Sequence, residues 1–178
     1  MHNDIKKVLI DQGLLQKRVK ELGQEISRDY KDKDLLVICV LKGAVLFMAD
    51  LVQNIGIPLE MDFMAVSSYG DATHSSGVVR IIKDLDASIE NKDLLIVEDI
   101  VDSGLTLSYL MELLKARGIK SLKVCSLLEK PENLVSKVNI DYIGFQVPDE
   151  FVVGYGLDYA QKYRNLPYIG VLKESVYK

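Results

Sequence analysis

The sequence predicts an α/β protein in which a central parallel β-sheet is flanked by helices on both faces. Short, continuously apolar runs such as Leu35–Leu41 alternate along the chain with stretches of helical periodicity. Apolar runs rich in β-branched residues are typical of strands buried on both faces, as in helix-covered parallel sheets. A strand, helix, strand order with short connections favours this architecture. The length of 178 residues fits one domain, which we expect to span residues 1–178.

The first half of the chain opens with a predicted amphipathic helix over residues 11–30. Its apolar residues recur at steps of three and four and form one stripe, made of Leu15, Val19, Leu22 and Ile26. The run Leu35–Leu41 predicts a buried strand, and residues 43–52 predict a helix that is apolar on nearly all sides. Residues 59–68 predict a strand with one end near solvent.

The middle of the chain begins with a polar stretch over residues 67–77, which predicts a mobile loop because it offers no periodic apolar face. A helix is predicted over residues 106–117, with Gly118 suited to a left-handed cap. Strands are predicted at residues 78–82, 94–97 and 121–128. The last third, residues 130–178, shows only short β-like pieces, at Tyr142–Gln146, 151–153 and 168–172. We expect this last third to fold over the core as an appendage.

Composition and charge exclude several classes of protein. The 48% apolar and 27% charged residues are typical of globular chains and exclude disordered and fibrous ones. The net charge of −4 argues against nucleic acid as the main partner, since no basic field would collect phosphates. The longest apolar runs are too short to cross a bilayer, so no membrane contact is expected. Cys39 and Cys125 lie in apolar strand-like runs, which favours buried thiols, and with no export signal at the N-terminus we expect a cytoplasmic protein.

The polar segment that follows the strand at residues 94–97 has the ingredients of an anion site. Ligands of open α/β sheets bind beyond the carboxyl ends of the strands, where a helix N-terminus offers unpaired N–H groups. Gly104 permits close approach of the backbone, and Ser103 and Thr106 supply hydroxyl groups. Glu98 and Asp99 would be poorly solvated there unless a cation or a sugar diol satisfied them. The alternative is that these acids cap the following helix and face water.

Five segments of the chain resemble the type I phosphoribosyltransferases, and among them the enzymes that act on 6-oxopurines. The segment 97–106 resembles their signature for phosphoribosyl pyrophosphate (PRPP), and residues 41–43 resemble the pyrophosphate loop. The remaining matches are residues 67–70 with the catalytic lid loop, and residues 126–130 and 151–159 with the purine site. The resemblance implies the type I phosphoribosyltransferase fold, with a core over about residues 30–130 and a mobile lid. It also implies a small hood subdomain from the N-terminal and C-terminal segments, mainly residues 130–178.

The activity that the resemblance implies is Mg²⁺-dependent transfer of 5-phosphoribosyl from PRPP to N9 of hypoxanthine, and also of guanine. Asp102 matches the general base and acid near N7 of the purine. The acids Glu98 and Asp99 match residues that hold the ribose hydroxyls and the metal. The 5′-phosphate would lie on Ser103, Gly104, Leu105 and Thr106. Many relatives carry Lys in place of Leu105, so a positive charge near the pyrophosphate is missing here.

Other matched residues have implied roles at the two ends of the site. Lys42, Gly43 and Arg164 match pyrophosphate-binding residues, and family members often have a cis peptide before the lysine that Lys42 matches. Ser68 and Tyr69 match the lid. For the base, Lys130 matches the donor to O6, Phe151 the stacking ring and Val152 a backbone contact. Asp158, in the same purine-site segment, matches a residue that binds a second Mg²⁺ or its waters near the pyrophosphate. An ammonium donor makes adenine the disfavoured base.

Other functions stay open at the level of sequence. A PRPP-sensing regulator of the same fold would share the signature and would bind RNA or a protein partner. A xanthine-preferring transferase, or one for orotate, would share the PRPP site. The resemblance also implies a homodimer or homotetramer.

Overall fold

The large β-sheet is the scaffold of the molecule. The computed structural model describes residues 1–68 and 79–178. The strands are β1 Ile5–Ile10, β2 Leu35–Leu41, β3 Glu60–Ser68, β4 Val79–Lys83, β5 Asp93–Val101, β6 Ser121–Glu129, β7 Tyr142–Gln146, β8 Val152–Val153 and β9 Ile169–Leu172. The helices are α1 Gln12–Asp29, α2 Val45–Val52, α3 Leu105–Lys115 and the short α4 Glu174–Tyr177.

The predicted parallel sheet is confirmed. It has six strands in the order β4, β3, β2, β5, β6, β7, and all of its pairs are parallel except the one between β3 and β4. The centre is β5, which pairs with β2 through Cys39 and Val97 and with β6 through Glu98 and Ser126. The fold therefore puts the carboxyl ends of β2, β5 and β6 at one edge.

Side chains of the central strands alternate between two apolar layers because successive residues of a strand point to opposite faces. Val37 and Cys39 of β2 pack with α1 and α2, whereas Leu36 and Ile38 pack with α3. Burial raises the pKa of the Cys39 thiol to about 12, so this cysteine is a neutral core residue at pH 7. Both cysteines are buried and free, as the sequence predicted.

The second sheet has three antiparallel strands in the order β1, β9, β8. Its small core is made of Val153, Tyr163, Leu166 and Leu172. The sequence pattern did not predict β1, since most of its side chains are at least partly exposed and two are lysines.

The prediction that residues 130–178 fold over the core as an appendage is wrong for the segment around β7. Tyr142–Gln146 has the predicted bounds, but it pairs in parallel with β6 and closes one edge of the large sheet. Helix α1 also packs against this sheet although it precedes residue 30. Only the chain after residue 150 joins β1 in the small sheet, because β8 and β9 pair with each other and β9 pairs with β1.

Element ends differ from the predictions where polar residues enter a strand. Strand β5 continues past residue 97 to Val101 because main-chain pairing with β6 continues through Ile100 and Leu128. Helix α2 begins two residues later than predicted, after a turn at residues 42–44. Gly118 has the predicted left-handed conformation, with φ of 73°. Within the described ranges, no helix combines the length and the apolar character that crossing a bilayer requires.

The contact of α1 with the large sheet is tested by two leucines of this helix. Leu22 is fully buried, whereas Leu14 is 46% exposed. We expect Leu22→Ala to lower the free energy of unfolding by about 2–5 kcal/mol, since it leaves a cavity in the core. Leu14→Ala should change it by less than about 0.5 kcal/mol. Urea unfolding of both variants measures the difference, and equal losses would contradict the described packing.

Candidate active site

The carboxyl end of β5 forms the floor of a polar cavity of about 130 Å³. Its lining includes Glu98, Asp102, Ser103, Gly104 and Thr106. Gly104 has a left-handed backbone with φ of 78° and precedes the first residue of α3. The first helical bond of α3 runs from the Ser108 N–H to the Gly104 carbonyl, at 2.9 Å. The N–H groups of residues 105–107 therefore have no intrahelical acceptor and form an anion-binding helix end beside the cavity.

Two adjacent acids end the buried part of β5. Glu98 is 8% exposed, and burial together with the neighbouring Asp99 raises its pKa well above the usual value. Burial also raises the pKa of Asp99 to about 6, although the Ile100 N–H donates to its Oδ1 at 2.8 Å. Desolvated carboxylates of this kind are stabilised by a cation or by hydroxyl donors.

The loop after β2 lies directly against Asp99. The Leu41–Lys42 peptide is cis. A Cβ atom built on Gly43 would lie 1.5 Å from Oδ2 of Asp99, and one built on Gly156 would lie 2.0 Å from the Gly43 carbonyl oxygen. At Gly156 the obstacle is backbone and leaves no room for a side chain, whereas a side chain at Gly43 would require the Asp99 carboxylate to move. The structure thus brings the backbone of Gly43, the residue after Lys42, against Asp99.

The segment 154–164 forms the opposite wall and contains several residues in left-handed conformation. They include Gly154, Tyr155 and Gly156, with φ of 104°, 49° and 104°. The Tyr155 hydroxyl donates to Asp50 of α2 at 2.5 Å, which fixes this wall to the large sheet's helical layer.

Arg164 faces Asp99 from that wall. Its guanidinium donates to the Gly156 carbonyl at 2.7 Å and pairs with Asp158 at 2.8 Å. The positive charge of Arg164 lowers the pKa of Asp99, while the Asp158 carboxylate raises it. The structure therefore places Arg164 and Asp158 within electrostatic range of Asp99.

Asp102 and Lys130 meet where the neighbouring strands β5 and β6 end. Lys130 follows β6, its side chain is 10% exposed, and its Nζ lies 3.6 Å from Oδ2 of Asp102. The Asp102 side chain itself is 51% exposed. Lys130 also pairs with Asp149 at 3.0 Å, and Asn133 donates to Asp102 at 2.8 Å. Asn133 and Asp149 were missed by the sequence analysis, and no local pattern distinguishes them.

Phe151 is 38% exposed and is supported by two tyrosines. Tyr177 of α4 stacks on the ring at a centroid distance of 4.8 Å, and Tyr159 meets it edge-on at 5.6 Å. The sequence analysis did not single out Tyr177. Val152 is buried in β8 and pairs with Val171 of β9.

The predicted lid falls mainly outside the described residues. Ser68 is the last residue of β3, and Tyr69 with the rest of residues 69–78 lies beyond the described part of the chain. Leu105 is the first residue of α3 and is 38% exposed.

The carboxylates of Glu98 and Asp99 determine whether the site can bind a divalent cation. Among residues 1–68 and 79–178, no group of three or more His, Cys, Asp or Glu side chains is arranged to hold a metal. Mg²⁺ usually binds through one or two carboxylates together with substrate phosphates and water. Glu98 and Asp99 provide two such carboxylates. Burial opposes the negative charge of Glu98, and a cation would stabilise that charge, so the pair fits a partial site of this kind.

An acid pair, a helix N-terminus with free N–H groups and cationic side chains stand at the carboxyl edge of a parallel sheet, an arrangement typical of α/β proteins that bind phosphorylated ligands. Residues 8–160 match the family model of the phosphoribosyl transferase domain, and the chain belongs to this family. The resemblance on which the sequence analysis relied is confirmed.

Named relatives cover the full length of the chain. It is 61% identical over 178 residues to hypoxanthine-guanine phosphoribosyltransferase of Bacillus subtilis (strain 168), covering 100% of this chain and 99% of that protein. It is 55% identical over 181 residues to the enzyme of the same name from Mycobacterium tuberculosis, covering 98% and 90%. A crystal structure of a hypoxanthine phosphoribosyltransferase from Staphylococcus aureus superposes with a TM-score of 0.97 at 51% identity, covering 100% of this chain and 97% of that one.

The close contact between Gly43 and Asp99 yields a test by double substitution. We expect Gly43→Ala to lower the free energy of unfolding by about 1–3 kcal/mol, because its Cβ atom overpacks the site. In an Asp99→Ala background the atoms that it meets are absent, so the same substitution should cost less than about 0.5 kcal/mol.

Gly56→Ala is the matched control, since its Cβ atom would meet nothing closer than 3.9 Å. Thermal and urea unfolding of the four Gly43 and Asp99 proteins measure the coupling. An equal cost of Gly43→Ala in both backgrounds would contradict the described contact.

Proposed function

We propose that this chain is a purine salvage enzyme that transfers 5-phosphoribosyl from PRPP to N9 of hypoxanthine and guanine, forming the nucleoside monophosphates and pyrophosphate. The observation that carries the proposal is the acid pair of β5, with Glu98 buried and Asp99 partly buried, shortly before the helix end at Gly104. The chain is 61% and 52% identical, over nearly its full length, to two enzymes named hypoxanthine-guanine phosphoribosyltransferase, which supports the choice of reaction. A regulator of the same fold is not favoured, because these relatives are named as transferases.

The proposed PRPP subsite uses the backbone more than side-chain charge. The N–H groups at the start of α3 and the hydroxyls of Ser103 and Thr106 would bind the 5′-phosphate, since they surround the cavity without intrahelical acceptors. Glu98 and Asp99 would accept the ribose hydroxyls. Leu105 contributes its N–H and no charge, so the positive charge for pyrophosphate must come from other residues.

Lys42 and Arg164 are the proposed source of that charge. Arg164 already lies near Asp99, and the backbone of Gly43 is held between Asp99 and Gly156. These contacts fix the pyrophosphate loop before substrate binds, which reduces the ordering cost of binding. Ser68 and Tyr69 would close over the reacting carbon and exclude water.

The proposed purine subsite lies between Lys130 and Phe151. Lys130 can donate to an oxo group at position 6 but cannot accept from the amino group of adenine. The exposed part of Phe151 would stack on the base, since Tyr177 already occupies one ring face. The backbone of Val152 would contact the purine edge. Hypoxanthine and guanine share the oxo group, and xanthine remains the runner-up base.

Asp102 is the proposed general base and acid. Its carboxylate is half exposed beside Lys130, so a purine bound on Lys130 would bring N7 within its reach. Asp102 would take the proton from N7 when the purine attacks and return it when the purine leaves, so that no charge accumulates on the purine. Hydrogen bonding to Asn133 holds the carboxylate in place.

Mg²⁺ is the proposed cofactor, held by Glu98 and Asp99 with the substrate oxygens and, at a second position, by Asp158. When bound, it neutralises charge on the pyrophosphate leaving group. Asp158 would have to release part of its pairing with Arg164 to take this role.

A second copy of the chain is the proposed partner, in a dimer or tetramer. An apolar patch that includes Val45, Met61 and Phe63 supports it, since Val45 and Met61 are 37% and 54% exposed. The two free, buried cysteines suit the cytoplasm as the proposed location.

Asp102→Asn tests the reaction and its proton transfer together. We expect wild-type protein with PRPP and Mg²⁺ to convert hypoxanthine and guanine, with adenine far slower. The variant should lose about 10²–10⁴ in kcat, the usual contribution of a placed proton-transfer group. A spectrophotometric assay with hypoxanthine, guanine, xanthine and adenine in parallel measures it. Binding of PRPP without turnover of any base by the wild type would instead favour a regulator.

A further inference from the structure

One asparagine side chain joins the two acids that surround Lys130. Nδ2 of Asn133 lies 2.8 Å from Oδ1 of Asp102 and 2.9 Å from Oδ1 of Asp149. A side-chain amide carries two N–H donors, so each carboxylate receives one of them. This pairing also fixes the amide orientation, because its carbonyl oxygen would repel both carboxylates.

Asp149 completes the arrangement through Lys130. Its Oδ1 accepts from the Lys130 ammonium at 3.0 Å as well as from Asn133. The hydrogen bonds from Asn133 and Lys130 lower the pKa of Asp149. Asp149 is therefore an ionised partner of the Lys130 ammonium.

We propose that Asn133 and Asp149 are positioning residues that keep Lys130 and Asp102 from neutralising one another. This inference rests on the proposed function, in which Lys130 binds O6 of the purine and Asp102 acts at N7. The two groups lie 3.6 Å apart and carry opposite charge, so in isolation they attract each other. A direct, closed pair would occupy the groups that the base has to meet.

Asn133 and Asp149 together form a bridge that opposes this closure by giving each group another partner. Asp149 holds the ammonium of Lys130, which has two further N–H donors, one of them free for O6. Asn133 holds Oδ1 of Asp102 and leaves Oδ2 for the purine. The spacing between the O6 donor and the N7 acid is then set before the base arrives, as productive binding requires.

The turn that carries Asn133 does not need its side chain. The Asn133 N–H bonds to the Lys130 carbonyl at 3.1 Å, and the N–H groups of Val135 and Ser136 bond to the Ser103 carbonyl. Backbone hydrogen bonds therefore hold the turn and its approach to the Asp102 loop. The amide of Asn133 is free to serve the two carboxylates.

Asn133→Leu tests the bridge, since leucine has nearly the shape of asparagine and no donor. We expect kcat with hypoxanthine to fall at least about tenfold, because two hydrogen bonds to charged groups are lost, with the KM for PRPP unchanged. Asn133→Asp should be worse than leucine, because it puts a third carboxylate between the two. Asp149→Asn should act through Lys130 and raise the KM for hypoxanthine several-fold.

Asn139→Leu is the matched control. Asn139 lies in the same connection between β6 and β7 and donates to Asp141 at 3.2 Å, away from Lys130. We expect it to leave both kinetic constants within twofold of wild type.

The outcomes separate the inference from the function on which it rests. Wild-type protein inactive on hypoxanthine and guanine would overturn the proposed function, and the inference with it. Active wild type with fully active Asn133→Leu and Asp149→Asn variants would overturn the inference alone. So would a rise in the KM for PRPP that accompanies a lower melting temperature, because it would show a purely structural role.

Discussion

The partial desolvation of two adjacent carboxylates at the end of β5, with Glu98 buried and Asp99 partly buried, is the constraint on which the rest of the site depends. Their desolvation opposes the charged form and raises the pKa of both Glu98 and Asp99. The acids follow Val97, the last residue of β5 that pairs with β2, and Glu98 still pairs with Ser126 of β6. Gly43 and Gly156 then follow from packing, since a side chain at Gly43 would overlap Asp99 and one at Gly156 would overlap the Gly43 carbonyl.

The walls around the acids divide the charge of the site. One wall brings Arg164 towards Asp99, and Tyr155 binds Asp50 to fix that wall to α2. The other wall holds Lys130 near Asp102. The proposed transfer of a phosphoribosyl group needs this division, because the negative pyrophosphate and the purine leave and arrive on different sides of the ribose.

The sequence predicted the parts of the molecule that depend on local pattern. Buried strands and amphipathic helices have a period that can be counted, and the segment 97–106 carries a signature of unusual specificity. Strand β1 could not be found this way, because half-exposed residues give a weak pattern and its partner β9 is more than 150 residues away. Strand β5 was predicted too short since backbone pairing does not depend on side-chain polarity.

Asn133, Asp149 and Tyr177 show the same limit within the site. Asn133 reaches Asp102 across 31 positions of sequence, and Tyr177 reaches Phe151 only because α4 folds back on the small sheet. Ordinary residue types at long range leave no local signal. Glu98 and Asp99 were predictable because three acids in five residues at the end of an apolar strand contradict the pattern of a core.

Thermal unfolding with and without PRPP and Mg²⁺ tests most directly whether the acid pair exists for the ligand. At a hundredfold excess over Kd, ligand should stabilise wild-type protein by about 2.7 kcal/mol. The Glu98→Gln, Asp99→Asn double variant should match or exceed wild-type stability without ligand and gain nothing with it. A variant that is less stable alone, or that PRPP stabilises as much as wild type, would contradict the account.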